Sequence, residues 1–192
     1  MSKQNSIEKL VISGKKVFTT EDLAVIWGIT QRRQLLERIN YYLREKRLLH
    51  IYKGVYAYGD FTPLDVAQKL VPLSYLSLYT TSQMHGLTFQ YYTSIFCLAL
   101  RTKTYELNGQ KYIYHKLKES VFYNELGLVN RGRYIVADRE RTVCDMLYFF
   151  PNAAFDNLDG IDCERLIRTA DIYGNQRLVR DVTGLVQAIK SR

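Results

Sequence analysis

The stretch from Val17 to Tyr58, VFTTEDLAVIWGITQRRQLLERINYYLREKRLLHIYKGVYAY, constrains this chain more than any other. It reads as a short helix, a tight turn, a longer basic helix and a two-stranded hairpin, which is the order of a winged helix-turn-helix. Thr20 is placed to cap the first helix, with Glu21 and Asp22 in the turn where the helix dipole favours negative charge. Leu23, Ile26 and Trp27 fall on one apolar face, and Gly28 ends the helix because glycine turns there without steric cost. Thr30 is the expected cap of the second helix, in which Leu35, Ile39, Tyr42 and Leu43 recur on the inward side.

The same helical spacing sends Arg33, Gln34, Glu37, Asn40, Tyr41 and Arg44 to the opposite side, with Gln31 and Arg32 in the exposed first turn. Such side chains can reach base edges and phosphates from a helix seated in the major groove. Leu48–Tyr52 and Val55–Tyr58 flank Lys53-Gly54, giving a wing with a lysine at its tip. A basic helix face is often no more than a solvated surface. The order of helix pair, glycine turn, basic helix and lysine-tipped hairpin is more specific than any one of its parts and points to DNA.

Charge distribution agrees with that placement. The net charge is +8, and residues 1–59 hold eleven Lys and Arg against five Asp and Glu, whereas residues 60–192 hold sixteen against fourteen. The basic excess therefore sits on the segment expected to meet phosphate. Apolar runs such as Ile95–Leu100 fall far short of the roughly 20 residues of a membrane span, and the polar start MSKQNSIEK has no leader character, so a cytoplasmic protein without membrane contact is expected. Cys97, Cys144 and Cys163 lack metal-ligand spacing and read as buried free thiols.

The chain is expected to break at Gly59-Asp60-Phe61-Thr62-Pro63, dividing a winged helix at 1–59 from a mixed α+β domain with terminal helices at 60–192. In the second part, helices are expected from Pro63 to Val71 and from about Ser74 to His85, and a central strand at Ile95–Leu100. A hairpin about Asn108-Gly109 follows, then strands at Val121–Tyr123 and Tyr134–Val136, a helix from Arg139 to Phe149 capped by Asp138, and helices over 161–173 and 176–189. His85 reads as a partner of a helix C-terminus. Asp156, Asp159 and Asp162 lack the spacing of a calcium loop and read as an acidic turn with an N-cap. There is no phosphate-cradling glycine motif, nucleophile elbow or paired histidine motif, so neither catalysis, a cofactor nor a metal is expected.

Beyond these patterns, VFTTEDLAVIWGIT, RLLHIYKGVYAYG, PLDVAQKLVPLSYLSLYTTSQMHGL and ADRERTVCDMLYF together resemble the AbiEi antitoxin family of type IV, abortive-infection toxin-antitoxin systems, over roughly residues 10–150. Where that family opens the last helix with Pro-Glu-Lys, this chain has Arg139-Glu140-Arg141. The resemblance implies a winged helix that represses its own operon at inverted repeats in promoter DNA. It also implies a C-terminal domain that counters a nucleotidyltransferase-like toxin without a stable complex. The DNA contacts it implies are Gln31, Arg32, Arg33, Gln34 and Tyr41 on the helix and Lys53 on the wing, and Arg44 joins them on helical spacing. The alternative is a winged-helix regulator or protein-interaction module unrelated to any toxin.

Overall fold

The computed structural model describes residues 4–191 as two compact units of an α+β chain. The first comprises residues up to Pro72 together with Gly132–Tyr134. Its elements are α1 (Gln4–Ile12), β1 (Val17–Thr19), α2 (Thr20–Trp27), α3 (Arg32–Arg44), β2 (Leu49–Tyr52), β3 (Val55–Ala57) and α4 (Pro63–Leu70). The strands form an antiparallel sheet of order β1-β3-β2, with Val17 opposite Ala57 and Thr19 opposite Val55.

Leu10, Phe18, Leu23, Trp27, Leu35, Ile39 and Tyr42 share its core, as the periodicity of α2 and α3 requires. The indole of Trp27 donates to the Ser6 carbonyl at 3.0 Å, so its one polar atom is satisfied inside the core. Val11 and Ile12, at the end of α1, are 58% and 83% exposed. They follow Leu10 directly, and a helix cannot turn three successive residues to one face.

The expected break at Gly59 is a bend within this unit, not its end. Thr62 and Asp65 form a capping box that starts α4, and α4 packs against β1. Lys69 on α4 pairs with Asp22 on α2 at 2.6 Å, and Asp65 is buried beneath a two-bond clamp from Arg133 at 2.9 and 3.0 Å. These polar ties carry the compact unit to Pro72.

The second unit contains β4 (Ser74–Leu76), α5 (Tyr79–Met84), β5 (Ile95–Ala99), β6 (Lys103–Leu107), β7 (Gln110–Lys116) and α6 (Glu119–Phe122). It continues through β8 (Leu128–Asn130), β9 (Ile135–Ala137), α7 (Arg139–Phe149), α8 (Cys163–Asp171) and α9 (Gln176–Lys190). One mixed sheet runs in the order β6-β7-β5-β4-β9-β8. The β6–β7 hairpin turns through Asn108 and Gly109, both at positive φ, as an Asn-Gly hairpin requires. Two expected elements change type. Ser74–Leu76, read as the start of a helix, is a fully buried inner strand between β5 and β9, and Val121–Phe122 lies in the single helical turn α6.

Helix α7 is the axis of this unit, buried from Glu140 to Leu147 and packed against α5, α8 and α9. Asp138 caps it as expected, accepting from the Arg141 N–H at 2.8 Å. Arg141 and Asp145, one turn apart, are both 0% exposed. The guanidinium donates to the carbonyls of Val121 and Leu126 at 3.0 Å each and to the Tyr75 hydroxyl at 3.1 Å. The carboxylate accepts from the hydroxyls of Ser77 at 2.7 Å, Tyr75 and Tyr173. Burial works against a charged guanidinium, yet the Asp145 carboxylate together with Tyr75 and Tyr173 outweighs it and holds Arg141 above its ordinary pKa. Cys97 and Cys144 are buried free thiols, while Cys163 is half-buried.

Candidate functional site

Helix α3 with its N-cap and the β2–β3 turn carry every residue singled out for DNA contact, and all lie within the first unit. Local chemistry positions them. The cap of α2 is Thr19, one residue earlier than expected: its hydroxyl accepts from the Asp22 N–H at 3.1 Å while the Asp22 carboxylate accepts from the Thr19 N–H at 3.0 Å. Thr20 instead ties α2 to the hairpin, donating its N–H to the Gly54 carbonyl at 2.9 Å. Burial alone would raise the Asp22 carboxyl, but the bonds from Lys69 and Thr19 prevail and hold it below its ordinary value.

Gly28 closes α2 in the left-handed conformation, φ 65°, as expected. At the start of α3 the N-cap is Gln31 and not Thr30, and no side chain caps it. A helix start without a side-chain cap retains backbone N–H groups that can bind an anion such as phosphate.

Gln31, Arg32, Arg33, Gln34 and Arg44 are exposed on α3 and its N-cap, and Lys53 is exposed on the turn. Arg32 and Lys53 line, with Glu21, Thr30 and Leu36, one concavity of about 380 Å³ between α3 and the hairpin turn. Arg44 lies on another part of the helix surface, lining a shallow depression with Glu37, Asn40 and Leu43. Arg33 is engaged by Glu37 one turn on, at 2.9 Å, with side chains 91% and 62% exposed. An ion pair that open is worth about 0–1 kcal/mol, so a phosphate can displace it.

Tyr41 departs from its expected place: it is half-buried against the core, its ring edge-on to Tyr42 with centroids 5.2 Å apart. The helical projection put it on the side opposite the core, and the aromatic ring instead gains apolar contact by turning towards Tyr42. Arg38, also on α3, donates to the Ser6 hydroxyl at 3.0 Å and so serves packing. Lys46 and Arg47, exposed just beyond α3, extend the basic surface and were not singled out because they follow the helical pattern instead of lying in it.

Outside this surface, His85 bonds the Ala137 carbonyl at 2.8 Å and caps α5, consistent with a structural histidine. Asp162 caps α8 through the Arg165 N–H at 3.0 Å, and Asp156 accepts the Phe89 N–H at 2.7 Å. Among the described residues no three His, Cys, Asp or Glu side chains gather as metal ligands, and no helix is long and apolar enough to cross a membrane. No protein-family model matches the chain, and no curated protein matches it. The resemblance to AbiEi antitoxins therefore stands on the residue phrases alone.

Proposed function

We propose that the first unit is a winged helix-turn-helix that binds promoter DNA and represses its own operon. On this reading α3 enters the major groove by its N-terminal end, Gln31, Arg32, Arg33 and Gln34 face base edges and phosphates, and the turn at Lys53 rests on the adjacent backbone. The observation that carries the reading is the shared concavity of Arg32 and Lys53 beside a helix start without a side-chain cap. Two cations from separate elements and open backbone N–H groups then address one stretch of phosphate. Arg44 reaches phosphate further along α3, and Tyr41 supports the helix from the core side.

The same reading makes the chain a cytoplasmic antitoxin of the AbiE type, in which the second unit counters a nucleotidyltransferase-like toxin without a stable complex and without chemistry of its own. Inverted repeats then take two copies of the chain, one per half-site. The test is a promoter–reporter strain combined with co-expression of a neighbouring nucleotidyltransferase-like gene. The full chain is expected to silence the reporter and restore growth, and Arg32→Ala/Lys53→Ala to lose silencing but keep rescue. Silencing retained in the double variant would remove the DNA assignment, and no rescue by either protein would remove the antitoxin assignment.

A further inference from the structure

The second unit holds a cavity that plays no part in the reading above. It has about 270 Å³ of space between α5, the segment 88–92 and the loop 152–156, near the lower end of small-ligand pockets. Tyr79 and Tyr92 stand together on its wall with ring centroids 4.3 Å apart, and Phe155 adds a third ring. Segment 88–92 alternates: Gln90 and Tyr92 line the cavity, joined by a 2.7 Å bond from the Tyr92 hydroxyl to Gln90 Oε1, while Phe89 and Tyr91 are exposed.

Polar groups on the wall have bonding capacity to spare. Ser82 lines the cavity, is 1% exposed, and its Oγ has no hydrogen-bond partner among the described residues. A buried hydroxyl left so costs free energy, which a bound partner would return. Asp156 accepts from the Phe89 N–H at 2.7 Å and the Thr88 hydroxyl at 3.2 Å, both on Oδ2, and Oδ1 retains its lone pairs for a ligand N–H. The exposed Asn152 adds an amide at the rim, and the lining contains no Lys, Arg or His. An anion would meet a carboxylate there and no counter-charge.

We propose that this cavity binds an uncharged planar nitrogen heterocycle of the nucleobase class, as the free base or nucleoside and not as the nucleotide. The ring stacks on the Tyr79–Tyr92 pair, its N–H edge meets Asp156 Oδ1, and an acceptor or hydroxyl of the ligand satisfies Ser82. The inference does not depend on whether the first unit binds DNA.

The full-length protein is titrated with adenosine, guanosine, cytidine and uridine, and with their 5′-monophosphates, by calorimetry and saturation-transfer NMR. At least one nucleoside is expected to bind, with its monophosphate about tenfold weaker. Ser82→Ala and Tyr92→Leu are each expected to weaken that binding about fivefold or more, Ser82→Ala at an unchanged or raised Tm, because it deletes an unpaired hydroxyl. The proposal is overturned by no nucleoside binding up to about 5 mM, by tighter binding of the monophosphate, or by unchanged binding in Ser82→Ala.

Discussion

Replacing Arg141 by methionine keeps most of the side-chain volume and removes the charge. In the wild-type protein the guanidinium, itself 0% exposed, meets two carbonyls at 3.0 Å and a buried tyrosine hydroxyl at 3.1 Å. Its Nε lies 3.6 Å from Asp145. Arg141→Met strands the Asp145 carboxylate at a site of 0% exposure and leaves the Val121 and Leu126 carbonyls short of a donor. Breaking a buried pair from one side costs about 3–5 kcal/mol, a large share of the roughly 5–15 kcal/mol that stabilises a domain. With a urea slope near 2 kcal/mol/M, the midpoint falls by roughly 2 M.

Equilibrium unfolding followed by far-UV circular dichroism measures this, with fluorescence of the single tryptophan, Trp27, reporting the first unit separately. The loss carries a pH signature. Burial raises the Asp145 carboxyl, and the guanidinium is the main influence opposing it. Without Arg141 the folded-state pKa lies further above the unfolded one, so the stability of the variant is lost as pH rises through that folded value, and its deficit is smaller at low pH than at neutral pH. Arg141→Met/Asp145→Asn should lose less than the sum of the single changes. A midpoint shift under about 0.5 M, or a deficit independent of pH, would refute the reasoning.

Lys69→Met removes the partner of Asp22 and should cost about 1 kcal/mol at neutral pH. Because Asp22 is held below its ordinary value of 3.8, its contribution is present above that value and lost as pH falls through the folded one; thermal melts at descending pH should show a steeper loss in wild type than in Lys69→Met. Gly127→Ala should destabilise the second unit by about 2–3 kcal/mol in the same urea assay. A Cβ there would stand 2.6 Å from the Arg141 Cβ, on a backbone at φ 81°.

Much of the first unit was legible because its signals are local. Gly28 between two apolar-periodic segments and Lys53-Gly54 between two short apolar runs each act over a few residues, and both sit where the sequence placed them. The capping residues slipped by one, Thr19 for Thr20 and Gln31 for Thr30, since adjacent threonines and polar residues offer equal chemistry and tertiary ties choose among them. In the second unit, Ser74–Leu76 misled because a short apolar run buried on both faces has no period to read, and only its neighbours β5 and β9 make it a strand.

β8 is three residues long between glycine turns and left no signal. Arg141 and Asp145 were invisible for another reason: charged residues in a helix are ordinarily solvated, and burial becomes affordable only when Tyr75, Ser77 and Tyr173 arrive from distant parts of the chain. The outward basic residues of α3 were legible, whereas their division between the concavity shared by Arg32 and Lys53 and the Arg33–Glu37 pair needed three dimensions.

The most direct test of the proposed role is a fluorescence-anisotropy titration of the protein against a duplex from its own upstream region and a scrambled duplex, at salt concentrations from about 50 to 200 mM. The account predicts preference for the upstream duplex and a linear fall of log K with log salt. Arg32→Ala/Lys53→Ala should reduce that slope by about 2, one for each lost phosphate contact. Binding without salt dependence, equal affinity for both duplexes, or an unchanged slope in the double variant would contradict it.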